Sequence, residues 1–467
     1  MAIGPAAPRA RVTGMAAFTV VALGQFLSIL GSMMSVMALT IWAWRVAGSA
    51  TALALLWFFS FAPTVIFSPI AGALVDHWNR KLAMMLSDMA SGLAMAVILA
   101  LYLLGDLQIW HIYASGVWIG AFHAFQFPAY SAAITLMVPK DHYARASGMI
   151  SLAQSAAMVF APALAGALIG TIDVSGILVI DLVTLSLALG ALLLVHVPQP
   201  PTSAAGLESR GSLWREAGYG FRYIFARPSL LGLQLVFLVG NFLAVMGTAL
   251  LSPMLLARTG DNALALGTVQ SAWAGGAVAG GVLVSTWGGP RRKIHGVLLG
   301  WAGSFLAGSI LMALGRSLTG WLVAAFAGAL FSPLINASNQ AIWQRKVPPD
   351  IQGRVFSVRL LIAQVSGPLA TLAAGPLADH VLEPGMRAGG ALLPVFGGLV
   401  GTGPGSGMAV LFLVTGVIGV VVVLAAYGVR IVREVEVILP DFDAEEATGS
   451  EAPAPAAGAP AESEGTA

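Results

Sequence analysis

The sequence predicts an all-α polytopic membrane protein with twelve transmembrane helices in two pseudo-symmetric six-helix halves. Three observations predict it. Of 467 residues, 58% are hydrophobic and only 9% charged, whereas a soluble domain needs about 25% charged residues to cover its surface. Apolar runs recur from residue 14 to residue 430, each near the roughly 20 residues that cross a bilayer. The chain also repeats itself. Val138-Pro139-Lys140-Asp141-His142-Tyr143-Ala144-Arg145 matches Val347-Pro348-Pro349-Asp350-Ile351-Gln352-Gly353-Arg354 at a shift of 209, which also superposes Phe122 on Phe331 and Gly166 on Gly375; Arg80-Lys81 matches Arg292-Lys293 at 212. Duplicated helical halves are a common plan for membrane carriers.

With Gly, Pro and charge clusters as breaks, helices are expected near 14–41, 50–74, 82–104, 109–137, 146–170, 175–197, 229–257, 264–288, 294–315, 318–344, 355–379 and 408–430. Residues 1–13 form a short N-terminal segment, 14–197 and 229–430 the two halves, 198–228 a linker and 431–467 an acidic tail. Arg9 and Arg11 precede an apolar run longer than a signal-peptide core, so the first span is expected to be retained. Twelve spans assign every loop to a side. Nineteen of the 23 basic residues then share one side, with Arg45, Arg258, Arg316 and Arg387 on the other. Positive loops mark the cytoplasmic face, which places both termini in the cytoplasm and the protein in the plasma membrane.

The linker begins Pro-rich (Pro198, Pro200, Pro201). It then carries Leu213, Trp214, Ala217, Phe221, Ile224 and Phe225 at helical spacing, as in a helix lying on the inner membrane surface. From Asp441 onward, seven acids and Ala/Pro/Gly repeats without Lys or Arg read as a disordered tail. The net charge of +2 averages this tail with an excess of eleven positive charges over residues 1–433. Such an excess suits anionic headgroups and forms no nucleic-acid stripe.

Enzyme chemistry finds no support. The chain has no cysteine, which excludes thiol chemistry, disulfides and Cys-ligated metal. None of its four lysines follows Gly, so a phosphate-binding Gly-Lys-Ser/Thr loop is absent. Gly401-Thr402-Gly403-Pro404-Gly405-Ser406-Gly407 faces outward before a membrane helix and is no nucleotide cradle. No His-Glu-x-x-His motif occurs, and no metal or cofactor is expected.

Between the second and third helices stands Gly72-Ala73-Leu74-Val75-Asp76-His77-Trp78-Asn79-Arg80-Lys81. It resembles the signature loop of the major facilitator superfamily, Gly-x-Leu-Ala-Asp-Arg-x-Gly-Arg-Lys. Gly72, Leu74, Asp76, Arg80 and Lys81 match, while His77 and Asn79 depart. Residues 174–189 (VSGILVIDLVTLSLAL), the Val-Pro-x-x-x-x-x-Arg loops and residues 399–407 are similar to the branch with macrolide-efflux-like proteins and the enterobactin exporter. The resemblance covers residues 14–430. It implies a secondary transporter whose halves rock about a central site, with Gly72, Asp76, Arg80 and Lys81 in a cytoplasmic gate.

Exporters of this superfamily often carry Gly-Pro-x-x-Gly-Gly in the fifth helix. Here Ala161-Pro162-Ala163-Leu164-Ala165-Gly166 keeps Pro162 and the last Gly, enough to bend the helix and pack it closely. The fourth-helix Arg of proton antiporters is missing, and His123 and Gln126 occupy its stretch. The resemblance makes the first, fourth, seventh and tenth helices the cavity lining, with Gln25, Ser28, Ser32, His123, Gln126, Tyr130, Asn241, Thr248, Asn336, Asn339 and Gln340 as its polar members. Uncharged groups among aromatics suit an amphipathic organic molecule better than an inorganic anion. Of the acids, Asp88 and Asp181 lie clearly inside predicted spans, where a carboxylate is paired, protonated or functional. Asp88, seven residues after Lys81 and on the same helix face, is assigned to the gate. Asp181 and His123 are the proton-coupling candidates, since the interior is expected to hold no fixed positive charge. The sequence thus points to proton-driven efflux of an amphipathic organic compound such as a drug, macrolide-like or siderophore-like molecule. An importer, or a non-transporting receptor or assembly protein, remains as the alternative.

Overall fold

Long runs of Leu, Ala, Val, Ile and Met leave the backbone one way to satisfy its polar groups within a single segment in hydrocarbon, the helix. The computed structural model describes residues 14–77, 80–137, 143–195, 220–348 and 351–441, and is helical with no strand among them. Side chains are described except at 14–17, 68–77, 80, 127–137, 143–148, 352–354 and 357. In order come α1 (Gly14–Ala47), α2 (Ala50–His77), α3 (Arg80–Leu104), α4 (Ile109–Met137), α5 (Tyr143–Leu194), α6 (Pro228–Thr248), α7 (Leu251–Thr259) and α8 (Ala263–Trp287). There follow α9 (Lys293–Ser304), prolonged by a π-helical turn to Leu314, then α10 (Leu318–Leu330), α11 (Ser332–Lys346) and α12 (Gln352–Leu377), prolonged by a second π-turn to Gly385. The series ends with α13 (Leu393–Val400) and α14 (Ser406–Gly428). A helical segment occupies the described part of each expected range, and nine described helices are long and apolar enough to cross a membrane.

The break expected between residues 170 and 175 is a single residue. Asp173, at φ 59° and ψ −178°, interrupts α5 without a loop. The Tyr102 hydroxyl donates to Asp173 Oδ2 at 2.6 Å, a contact that holds an L-residue in a conformation costing about 1–3 kcal/mol.

Large apolar side chains face outward all around the bundle. Leu23, Leu93, Leu187, Val282, Leu299 and Val421 are each more than half exposed. In water that surface would aggregate; against lipid tails it is matched.

The halves meet at one end. There Met37, Leu53, Ala161, Ala165, Leu256, Ala263, Leu266 and Ala374 share one buried core drawn from both halves. α5 lies against α8 so closely that a Cβ on Gly166 would stand 2.6 Å from the Ala263 carbonyl oxygen, and one on Gly267 would strike the carbonyl of Pro162. α12 lies as closely on α2, where a Cβ on Gly375 would come within 2.7 Å of Thr51 Cα. Away from this end α5 and α8 part around a cleft of about 450 Å³ lined by Ser155, Met158, Val278, Val282 and Thr286.

Segments that the sequence assigned to linker and tail are built into the second half. Of the linker's helical stretch, residues from 220 are described. Tyr223 and Ile224 are buried there, and the Tyr223 hydroxyl donates to the Lys346 carbonyl at 2.9 Å, so this part docks on protein instead of lying free on the membrane. After α14 the chain continues in short helical turns to Asp441. Val432 and Val435 are buried, and Glu436 accepts the first backbone N–H groups of α9, from Lys293 at 3.1 Å and Ile294 at 3.0 Å. Lys346, buried to 4% exposure, donates to the carbonyls of Glu436 and Leu439 and pairs with Asp441 at 2.8 Å. Residues 431–441 are therefore ordered structure; the tail beyond them and residues 198–219 lie outside the described residues.

Candidate functional site

Three helices of the first half converge on Asp88. α3 carries the carboxylate, which is 2% exposed, and α1 and α4 each present a glutamine at the same depth. Gln126 Nε2 donates to Asp88 Oδ1 at 2.7 Å and Gln25 Nε2 to Oδ2 at 3.1 Å. The assignment of Asp88 to the basic gate is not what the structure shows. Among the described residues it forms no ion pair, and Lys81 instead donates to the carbonyls of Leu193 (3.3 Å) and Val195 (2.7 Å) at the C-terminus of α5. A lysine at a helix C-terminus complements the macrodipole there.

Asp181 sits one layer away, on the second part of α5 against α1. Ser32 Oγ donates to its Oδ1 at 3.0 Å. Its Oδ2 and the hydroxyl of Ser35, one turn on from Ser32, are both buried without a hydrogen-bond partner. Gly31 makes room for this arrangement, since a Cβ there would reach 3.0 Å from Asp181 Cα and would collide with the Thr184 hydroxyl. Gln25, Ser28 and Ser32 share one face of α1, as their spacing predicts, but two of them are committed to buried carboxylates and Ser28 is buried beside them. His123 is exposed on α4. The side chains of Gly72, Asp76, Arg80 and Tyr130 lie outside the described residues; their backbone closes α2, opens α3 and ends α4.

The second half encloses a cavity of about 350 Å³. Asn241, Thr248, Asn336 and Asn339 line it as expected; Gln340 does not. Phe237, Trp273, Trp301, Phe305 and Phe412 supply aromatic surface, and Gln234 and Arg359 complete the polar lining. Arg359, in the second turn of α12, overturns the expectation of an interior without fixed positive charge. Its guanidinium lies 5.4 Å from the centroids of both the Trp343 and Phe356 rings, and Gln234 Nε2 donates to its backbone carbonyl at 3.1 Å. Arg359 Nη1, Trp301 Nε1, Trp343 Nε1 and Asn339 Oδ1 are buried around this region without partners. Each such group costs about 1–3 kcal/mol when left unpaired.

At the joined end two hydrogen-bonded contacts cross between the halves. Trp44 Nε1 donates to Asp261 Oδ1 at 2.8 Å. Asp379, at the end of α12, caps α2: its Oδ1 accepts from Ala50 N at 3.0 Å, its Oδ2 from Thr51 N at 2.7 Å and from Thr51 Oγ1 at 2.6 Å. Neither aspartate stood out in the sequence. Asp379 accepts from the first N–H groups of a helix more than 300 residues earlier, beside the local cap Ser49, whose Oγ accepts from Ala52 N at 3.1 Å.

The family model of the Major Facilitator Superfamily matches residues 21–371. The chain belongs to that superfamily. Macrolide efflux protein A of Streptococcus pyogenes is 24% identical over 362 residues, covering 77% of this chain and 88% of the relative. The enterobactin exporter EntS of Shigella boydii is 25% identical over 292 residues, 61% of this chain and 67% of the exporter. A bacterial homologue of the lysosomal transporter Spinster, solved inward-facing and unoccupied, superposes with a TM-score of 0.64 at 17% identity, covering 89% of this chain and 96% of that one. As a member of the superfamily the chain is an integral membrane transporter and not an enzyme. No group of three or more His, Cys, Asp or Glu suited to a metal occurs among the described residues.

Pro162 and Gly166 lie at the seam where the halves touch. Pro162 presents its carbonyl to Gly267 there.

Proposed function

We propose that this superfamily member exports an amphipathic organic compound by alternating access, driven by the proton gradient, with twelve crossings and both termini in the cytoplasm. The observation that carries the reading is the asymmetry of contact between the halves. They are latched through Trp44, Asp261, Thr51 and Asp379 at one end and separated by a cleft toward the other. A carrier poised to load from the cytoplasm is built this way. Efflux relatives support the direction, and an aromatic cavity with scattered amides supports an organic cargo. Asp76, Arg80 and Lys81 form the cytoplasmic gate in this reading, and Asp76→Asn damages transport more than folding.

Inverted membrane vesicles test the function with radiolabelled erythromycin and a panel of amphipathic organic acids and amines. Export appears as uptake dependent on an imposed proton gradient and abolished by a protonophore. Accumulation in right-side-out vesicles only would make the chain an importer, and saturable binding without flux would make it a receptor.

Orientation is tested separately. Cysteines introduced at Ser203 and Thr286 label from the cytoplasm, and those at Asp106 and Ala388 from outside. The opposite labelling pattern overturns the topology.

A further inference from the structure

We infer that the cavity of the second half binds an organic anion, with Arg359 as the counter-charge to its acidic group. The inference deepens the transport reading by naming a substrate class, and it rests on that reading only for what happens after binding.

A guanidinium partly buried in protein, as Arg359 is near the start of α12, is stable only if something near it replaces water. The rings of Trp343 and Phe356 meet part of this need through their π faces. Among the described residues no carboxylate meets the rest. Among the described residues that line the cavity there is no Asp or Glu. From Asn262 to Ala378 the sequence has one acid, Asp350, outside the described residues. Asp261, Asp379 and Glu383 lie at the joined end and are engaged there by Trp44, by Ala50 and Thr51, and by the backbone of Met408.

The unpartnered groups point the same way. Two buried, unpaired donors, Arg359 Nη1 and Trp301 Nε1, belong to residues that line the cavity. A carboxylate offers acceptors and no donor, and pairs with a guanidinium through two parallel bonds. An ammonium would leave these donors unsatisfied and set like charge beside like, and a neutral amine would leave the guanidinium without a counter-charge. Around that pole Phe237, Phe305 and Phe412 supply apolar walls. The fitting ligand is therefore an aromatic or aliphatic body with one acidic group, small enough for about 350 Å³. The head of an anionic lipid shares this chemistry, and the test separates the two sources.

The purified full-length chain is placed in phosphatidylcholine nanodiscs and titrated with 2-naphthylacetate and with its uncharged amide. The acid is expected to bind at least about tenfold more tightly than the amide, the usual worth of a charge-assisted pair. Arg359→Gln should bring that ratio to about one, Arg359→Lys should keep part of it, and Arg345→Gln, an exposed residue outside the cavity, should leave it unchanged. Equal affinity for acid and amide, no binding of either, or a ratio untouched in Arg359→Gln overturns the inference. A second titration in phosphatidylglycerol nanodiscs should give the same affinity; displacement of the acid there assigns the site to lipid and overturns the free-ligand inference. Flux of the acid in proteoliposomes is scored apart from binding. Charge-selective binding without flux removes the transport reading and leaves the site, whereas flux without charge preference does the reverse.

Discussion

Gly166 and Gly375, 209 residues apart, occupy equivalent places in the two halves, each where a helix of one half lies against a helix of the other. A Cβ on Gly166 would stand 2.6 Å from the carbonyl oxygen of Ala263, and a Cβ on Gly375 2.7 Å from Thr51 Cα. Both obstacles are backbone, so neither can move aside as a flexible side chain does. The internal repeat is thus functional geometry: the same small residue closes both seams at one end of the molecule.

Gly166→Val and Gly375→Val should each prop that end open. With spin labels at introduced Asp106→Cys and Ala388→Cys, in a chain otherwise free of cysteine, the distance distribution should gain a longer component, and transport should fall about tenfold or more. Unchanged distances in both variants would show that the seams carry no conformational weight.

Asp379 offers a gentler handle on the same equilibrium. It accepts three hydrogen bonds from α2 across the halves, and bonds to a charged acceptor contribute about 1.5–3 kcal/mol each when undisturbed. Asp379→Ala should therefore shift the population toward the state open at that end by roughly tenfold or more, and Thr51→Ala by less. The same spin-label pair reads both. A shift in Thr51→Ala exceeding that in Asp379→Ala contradicts the capping role.

The clamp on Asp88 predicts an order of stabilities. Gln126→Leu strands one oxygen of a buried carboxylate and should lower thermal stability in detergent by about 1–3 kcal/mol. Gln25→Leu should act similarly through its longer bond. Adding Asp88→Leu to Gln126→Leu removes the stranded charge, so the double variant should be more stable than Gln126→Leu alone. Strict additivity of the two losses would show that the bond at 2.7 Å carries no coupling.

These relationships divide by how far apart their partners are in sequence. Span positions and the duplication were legible because apolar runs and matching loops can be read directly along the chain. Arg359 was not. A basic residue four positions into an expected helix reads equally as an interfacial anchor or as an inward-turned charge, and only the neighbours it packs on, Trp343 and Phe356, decide. The pairing of Asp88 was misjudged for a related reason. Seven residues on a helix do put Lys81 on its face, yet the terminal carbonyls at Leu193 and Val195 hold the ammonium, and two amides from other helices take the carboxylate. Helical spacing says which residues share a side; it does not say what arrives there from elsewhere in the chain.

Coupling is the last expectation. We propose that Asp181 or His123, and not Asp88, carries the transported proton. Asp88 has both oxygens satisfied by fixed amide donors, an arrangement that accommodates a carboxylate in every conformation in which α1, α3 and α4 move together. Asp181 has one oxygen bonded to Ser32 and one buried without a partner, so protonation of that second oxygen breaks no fixed hydrogen bond. His123 is exposed on α4, and an imidazole is the side chain whose unperturbed titration lies nearest neutral pH. Proton-driven counterflow in proteoliposomes is compared for Asp181→Asn, His123→Gln and Asp88→Asn. One of the first two should lose its dependence on the proton gradient while still exchanging substrate, and Asp88→Asn should stay coupled, its loss confined to stability. Uncoupling in Asp88→Asn alone reverses the assignment, and coupling retained in all three removes the proton from these residues altogether.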